Sequence, residues 1–415
     1  MEEWKIYRLG DLVDFQNGYA FKSSKFLYDG KYKIIRIKEL KNGLVKFFED
    51  TVSISDEPNE ILSKILVNKG DVIFALTGDP VSKQNANSWV GRVSLYTHDI
   101  PAYLNQRTCK IIQCNNVVPQ YVYYYFRQYE NLYSLASKAT GSASQANIST
   151  KILEDTEILL PSLSVQKKMV AILASLDNKI ALNRRINDNL EQQAQALFKA
   201  WFVDFEPFKD GEFVNSELGM IPKDWRIVSL GEVTKQITEK VGNRKDVTVL
   251  SPINSGELVL SKEYFNKQVF STDLSKYLIV NPLSFAYNPA RINIGSIGLN
   301  TFDFVGCVSP VYVVFECEPN YQYFFDFFKR TATFKEEVAL RAIGGVRQSL
   351  SYNDLALIKT IYPTPDVIVE FNNLYLKMKE VTKKNTTQNE KFISLRDSLL
   401  PRLMSGELKI NDLNS

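Results

Sequence analysis

The chain is poor in the residues on which many enzymes build their chemistry. Its 415 residues include one histidine, His98, and four cysteines, Cys109, Cys114, Cys307 and Cys317. No two of those cysteines have Cys-x-x-Cys spacing, so a zinc site is not expected. Free thiols in a reducing compartment fit better. Ser–His or Cys–His catalysis would rest on His98 alone, which lies in a polar stretch. There is no Gly-x-x-x-x-Gly-Lys-Ser/Thr phosphate loop. An adenine methyltransferase would need Asn/Asp-Pro-Pro-aromatic. Asn281-Pro282-Leu283-Ser284 and Asn288-Pro289-Ala290-Arg291 both lack the second proline. No apolar run reaches the ~18 residues of a membrane span. Met1-Glu2-Glu3-Trp4-Lys5 lacks the basic and apolar regions of a signal peptide. The expectation is a cytoplasmic chain with no catalytic residue, no metal, no cofactor of its own and no membrane partner.

What is there is a large apolar inventory. The hydrophobic fraction is 45% and the aromatic fraction 12%, enough for packed cores and opposite to a disordered composition. The length predicts two to four structural units. Lys+Arg number 50 against Asp+Glu 47, so any polyanion-binding surface must be a local patch.

Internal repetition organises the chain. Trp4-Lys5-Ile6-Tyr7-Arg8-Leu9-Gly10-Asp11 returns as Trp225-Arg226-Ile227-Val228-Ser229-Leu230-Gly231-Glu232, an offset of 221. Pro119-Gln120-Tyr121-Val122-Tyr123-Tyr124-Tyr125 returns as Pro319-Asn320-Tyr321-Gln322-Tyr323-Phe324-Phe325, an offset of 200. Gln145, Ser149, Leu153 and Pro161 are echoed by Gln348, Ser351, Leu355 and Pro363. Leu197-Phe198-Lys199-Ala200-Trp201-Phe202 matches Leu399-Leu400-Pro401-Arg402-Leu403-Met404, an offset of 202. Blocks recurring in one order predict a tandem duplication with drifted interiors.

Each half opens as a mixed α/β globule. Tyr32–Ile37, Asp71–Leu76 and Arg107–Ile112 read as strands in the first, and Leu283–Tyr287 and Tyr312–Phe315 in the second. Tyr121–Phe126 and its twin Tyr323–Phe328 read as short aromatic helices packed in the core. A long amphipathic helix closes each half. In the first, Ser164 is the expected N-cap. Apolar residues then fall at Val165, Met169, Ile172, Leu176 and Ile180, and again at Ile186, Leu190, Ala194, Leu197 and Trp201. The second runs through Val367, Phe371, Leu374, Met378 and Val381, then Phe392, Leu395, Leu399 and Leu403, with a weakly patterned middle at Lys383–Thr387. Two such helices in one chain are expected to pair as an antiparallel coiled coil. The expected seam and docking positions are Leu176, Ile180, Leu190, Leu197, Trp201, Leu374, Met378, Leu395, Leu399 and Leu403. The expected division is 1–160 globule, 161–205 helix, 206–362 globule, 363–408 helix and 409–415 tail.

Three passages carry a family likeness: Asn189–Pro207 at the end of the central helix, Ser398–Leu408 at the end of the second, and Ile158–Gln166 at the exit from the first globule. With the duplication, they resemble the specificity subunits of Type I restriction–modification systems (the HsdS family). One departure is Ile368, where the family usually has Gln near the helix start. The resemblance implies that each globule is a target recognition domain reading one half of a bipartite site in double-stranded DNA. The helices would set the gap and dock two methyltransferase subunits, with nuclease/translocase subunits able to join. S-adenosylmethionine and ATP would be bound by those partners. The competing expectation is a coiled-coil scaffold that joins protein partners without reading DNA. A chain that methylates or cuts alone is disfavoured by the missing motifs.

If the globules read DNA, Lys and Arg should meet phosphates, and Arg, Asn, Gln and Ser/Thr should meet base edges. The polar loop after Asp71–Leu76 offers Thr77, Lys83, Gln84, Asn85, Asn87 and Arg92. Gln106 and Arg107 form a second candidate group, and Ser144 and Gln145 a third. In the second half, Asn288, Arg291, Asn293 and Ser296 follow the matching strand, with Arg347 and Gln348 beyond.

Overall fold

The computed structural model describes residues 4–265, 270–342 and 349–408. They fall into two compact units: Met1–Asn183 with Thr386–Ser415, and Arg184–Asn385. Each long helix is therefore shared between the units near its midpoint. Sequence order predicted a cut at the helix ends, whereas packing draws half of each helix into each unit.

The expected strands form, with trimmed ends. In the first unit, Val13–Asn17, Thr108–Cys114, Val72–Ala75 and Val93–Leu95 lie side by side in that order, with Leu44–Val45 and Leu40–Lys41 at the far edge. A second sheet orders Ser53–Ile54, Tyr32–Ile35, Ala102–Leu104 and Leu66–Val67. Tyr32–Ile35 and Ala102–Leu104 run parallel, and the other pairs of this sheet are antiparallel. Lys5–Arg8 pairs antiparallel with Glu157–Leu160, tying the two ends of the α/β part together.

The second unit has the same order at matching places. One sheet runs Thr234–Ile237, Val313–Cys317, Phe285–Tyr287, Ile297–Leu299. The other runs Leu258–Leu260, Thr248–Pro252, Gly306–Val308, Leu278–Val280, again with one parallel pair at its centre. Arg226–Ser229 pairs with Lys359–Tyr362 as Lys5–Arg8 does with Glu157–Leu160.

The aromatic segments are helices, Pro119–Arg127 and Gln322–Phe328, and their rings are core. Tyr121, Phe126, Phe324 and Phe325 are all buried. Pro119 stands in the first turn of its helix, where no N–H is needed.

The central helix spans Leu163–Phe202 and the C-terminal helix Pro365–Met404. The central helix starts ahead of the expected cap: Gln166 N–H already donates to Ser162 O, so Ser164 lies within the first turn. In the first unit, Val165, Met169 and Leu173 join a core with Leu400, Leu403 and Met404. Arg396 bonds Asp177 at 2.8 Å, and Asn183 Nδ2 donates to Asn389 Oδ1 at 3.0 Å, so these segments run antiparallel. In the second unit, Ala194, Phe198 and Phe202 pack with Ile368, Phe371 and Tyr375. There Asn385 Nδ2 donates to Asn187 Oδ1 at 2.9 Å.

Several expected seam positions are displaced. Leu176, Ile180 and Leu403 are buried, and Leu190, Leu197, Trp201, Met378 and Leu399 half-buried. Leu374 and Leu395 are exposed. Phe198, Phe202, Ile368 and Tyr375, each one residue away from an expected apolar position, are buried as well. A step of one residue turns a helix by about 100°, so an i+3/i+4 pattern admits two adjacent stripes and packing selects between them. The weakly patterned middle holds buried Asn385, and Asn389 just beyond it is buried too.

The departure at Ile368 has a structural answer. Gln166 is buried and donates to Asn116 O at 3.2 Å. In the second unit Ile368 is apolar and buried, and Asn372, one turn later, donates to Asn320 O at 2.7 Å. Asn116 and Asn320 both adopt positive φ. The tether between helix and turn is kept by a different side chain.

Candidate nucleic-acid interface

In the first unit the sheet gathers the three candidate groups at one end of Val72–Ala75. Leu76 N–H donates to Arg107 O at 2.9 Å, which brings Gln106 and Arg107 beside the start of the long loop. The hairpin Thr140–Ser142/Gln145–Asn147 pairs with Thr77–Gly78 through Ala146↔Gly78 and Asn147↔Thr77. Ser144 and Gln145 at its tip are exposed. The loop itself is closed at its base: Asp79 N–H donates to Ser88 O at 2.9 Å, and Val90 N–H to Asp79 O at 3.0 Å. Trp89, almost fully buried, pins it by donating from Nε1 to Lys83 O at 2.6 Å. Between these closures Lys83, Gln84, Asn85 and Asn87 are exposed. Asn85 also caps the short 3₁₀ turn Ala86–Ser88, accepting from Asn87 N–H.

Two expected DNA contacts in this unit are corrected. Thr77 is buried and its hydroxyl donates to Asn147 Oδ1 at 2.8 Å, joining loop to hairpin. Arg92 is only 9% exposed. Its guanidinium donates to Ser88 O at 3.0 Å, Trp89 O at 3.1 Å and Ile37 O at 2.9 Å, so its donors are spent on the backbone. Burial lowers its pKa to about 10.

In the second unit Asn288, Arg291, Asn293 and Ser296 flank or form the 3₁₀ helix Pro289–Ile294, which leaves the strand Phe285–Tyr287. Arg291 and Asn293 are exposed and Asn288 half-buried. Asn288 caps the 3₁₀ helix, its side chain accepting from Ala290 N–H at 3.1 Å. Ser296 is corrected: it is buried and its hydroxyl donates to Pro252 O at 2.8 Å. Gly295 ends the turn with φ 91, and a Cβ there would lie 2.7 Å from Asn254 O, so the site demands glycine. Leu350 N–H donates to Pro289 O at 3.2 Å, as Ile148 N–H donates to Leu76 O at 3.0 Å in the first unit. Arg347 and Gln348, with the preceding Gly344 and Gly345, lie outside the described residues.

Side chains that the sequence did not point to also stand here. Tyr129 and Tyr133 are exposed beside Trp89, with ring centroids 5.4 and 5.8 Å away. They follow an aromatic helix whose rings are core, and no sequence signal separates the two sets. His98 stacks on Phe47, and its Nε2 lies 2.9 Å from Val45 O. Among the described residues no group of three metal-ligating side chains assembles.

Each unit thus presents exposed polar side chains at one end of a sheet whose central aromatics, Phe74 in the first and Phe285 and Phe315 in the second, are buried. The sequence model of the Type I restriction modification DNA specificity domain matches residues 1–192. The specificity subunit of Type I restriction enzyme MjaIX from Methanocaldococcus jannaschii is 26% identical, across 99% of this chain and 95% of its own length. The HindI specificity subunit from Haemophilus influenzae is 25% identical, across 98% of this chain and 100% of its own. The crystal structure of the Type I restriction–modification S subunit from M. genitalium superposes with a TM-score of 0.60 at 15% identity, covering 97% of this chain and 96% of that one, a likeness of fold. Residues 1–192 match that family's model, and along its whole length the chain is similar to specificity subunits of Type I restriction enzymes.

Proposed function

We propose that each unit reads one half of a bipartite double-stranded DNA site. The observation that carries this reading is the recurrence, in two units of one strand order, of an exposed polar loop at the same strand end. In the first, Lys83, Gln84, Asn85, Asn87, Gln106, Arg107, Ser144 and Gln145 are the readers. In the second, Asn288, Arg291 and Asn293 are, joined by Arg347 and Gln348. We further propose that the halves arose by tandem duplication, as the matched sequence blocks and shared strand order support. The long helices act as a coiled-coil spacer. Forty residues at ~1.5 Å each give a rod of ~60 Å, about 18 base pairs at ~3.4 Å per step along a strand. Exposed apolar residues on the helices, Leu182, Ile186, Leu374 and Leu395 among them, suit the docking of two methyltransferase subunits. Nuclease/translocase subunits would join that assembly. S-adenosylmethionine and ATP belong to those partners, and the complex works in the cytoplasm. Among the described residues no helix is long and apolar enough to cross a membrane.

The test is co-expression with the cognate methyltransferase subunit and single-molecule sequencing of the host DNA for methylated adenine. Two short defined sequences around a fixed unspecified gap are expected. Complex formation without any sequence preference refutes DNA reading and favours the scaffold.

A further inference from the structure

Buried cations stand under both loops. Arg92 is buried, with the Asp79 carboxylate acting on it from beyond direct ion-pair distance. It is held by backbone carbonyls: Ser88 and Trp89 in the loop, and Ile37 and Leu40 in a neighbouring turn. The Ser88 carbonyl also receives the Asp79 N–H, so Arg92 grips the point at which the loop closes on itself. Lys83, Gln84, Asn85 and Asn87 hang between Asp79 and that point. Desolvating a cation is expensive, and removing this one would strand several acceptors at the loop's base.

The second unit solves the same problem from another element. Lys329 follows the helix Gln322–Phe328, and its side chain is 1% exposed. Nζ donates to Ile297 O at 3.1 Å and Gly256 O at 2.5 Å, and pairs with Asp326 at 3.1 Å. Ile297 is the residue after the polar turn. Gly295 and Ser296 press that turn onto Asn254 and Pro252, in the segment that contains Gly256. Lys329 thus clasps both sides of the loop's foundation. In the first unit Arg127, the last residue of the matching aromatic helix, has its guanidinium against Gly43. Gly43 and Gly256 both have positive φ. Arg92 and Lys329 come from unmatched positions in the repeat, yet each ties the foot of the corresponding loop to the turn beside it.

We propose that Arg92 and Lys329 are positioning residues, buried struts that set the pose of the recognition loop in their own unit without touching DNA. The inference rests on the reading that these loops contact bases. A loop that loses its strut keeps its phosphate-binding side chains but presents its base-reading ones in several poses. Specificity in that half falls, and the other half is untouched.

The test uses the full complex with its methyltransferase partner on a random-sequence DNA library, scored by methylated-adenine sequencing. Arg92→Met is expected to lower discrimination about tenfold at one or more positions of one half-site, leaving the other half as in wild type. Lys329→Met is expected to do the converse. Arg92→Lys, which keeps the charge but reaches fewer carbonyls, is expected to restore part of the loss. If Arg92→Met does not assemble, Arg92→Lys carries the test: loss confined to one half supports the proposal, and loss shared by both overturns it. Both halves weakening together in each variant, with complex formation intact, overturns the strut and leaves DNA reading standing. A wild-type complex without a bipartite motif overturns both.

Discussion

The asparagines between the helices allow a sharp energetic test. In the second unit Asn385 is 8% exposed and donates to Asn187 Oδ1 at 2.9 Å. Replacing Asn385 by Leu removes that donor and sets an apolar side chain against the half-buried Asn187 amide. The penalty for such a group is about 1–3 kcal/mol. Leucine returns part of it, at ~0.8 kcal/mol per buried methylene. The single substitution should therefore destabilise this helix pair by about 1 kcal/mol. Replacing Asn187 as well removes that amide, with its long bond to Thr382 O at 3.4 Å, and adds a second apolar side chain. The double variant should be more stable than wild type by about 1 kcal/mol, because an apolar pair of similar shape is tolerated where a broken polar pair is not. The two substitutions are then coupled by roughly 2–3 kcal/mol, near the upper end for residues in contact. Amide hydrogen exchange over 184–202 and 370–385 reads this locally, without requiring the whole chain to unfold in one step. At ~1.4 kcal/mol per tenfold, exchange should speed up about fivefold in Asn385→Leu and slow about fivefold in the double variant. Asn385→Leu protecting these amides as well as the double variant does would refute the argument.

Three further outcomes are expected. Lys83→Ala should weaken DNA binding evenly across sequences and lower the slope of log K against log salt by about 0.9; a lost preference for one base instead would assign Lys83 to a base edge. Phe198→Ala should cost about 3–5 kcal/mol, read by thermal melting, because Phe198 is buried against Phe324, Phe327 and Phe371. Burial raises the pKa of the Cys109 and Cys317 thiols and pushes Cys307 up to about 11, so all three stay protonated at pH 8. Partial burial raises the Cys114 thiol as well, but Cys114 alone of the four is exposed and should be alkylated first by iodoacetamide, as mass spectrometry of the timed reaction will report; early labelling of Cys109 would contradict the packing.

The layout of the chain was legible because punctuation repeats: Trp-x-Ile near the start of each half, a proline before an aromatic run, and a proline before each long helix. Strand order was not, since pairings such as Tyr32–Ile35 with Ala102–Leu104 join segments some 70 residues apart and leave no local trace. The helix faces were half legible. Val165, Met169, Leu176 and Ile180 follow the pattern, but Phe198 and Phe202 replace Leu197 and Trp201, which satisfy the same periodicity. Asn183, Asn187, Asn385 and Asn389 carry no local signal of pairing, because asparagine on a helix is usually solvated. Lys83, Gln84, Asn85 and Asn87 are exposed, as a contact residue must be. Arg92 had the right chemistry for phosphate or guanine, and only its burial reveals that backbone carbonyls occupy it.

The first unit is discontinuous in the chain, and that has a consequence for biosynthesis. Leu400, Leu403 and Met404 belong to the same core as Leu9, Phe74 and Tyr121, and Gly406 lies against Trp4. Residues at the front of the chain therefore wait on the ribosome for more than 200 intervening ones, 184–385, which hold every segment of the second unit. The half translated later is the first that can be completed. A nascent chain arrested before Thr386 carries one finished unit and one whose apolar helix face has no cover, a form that chaperones and proteases would recognise.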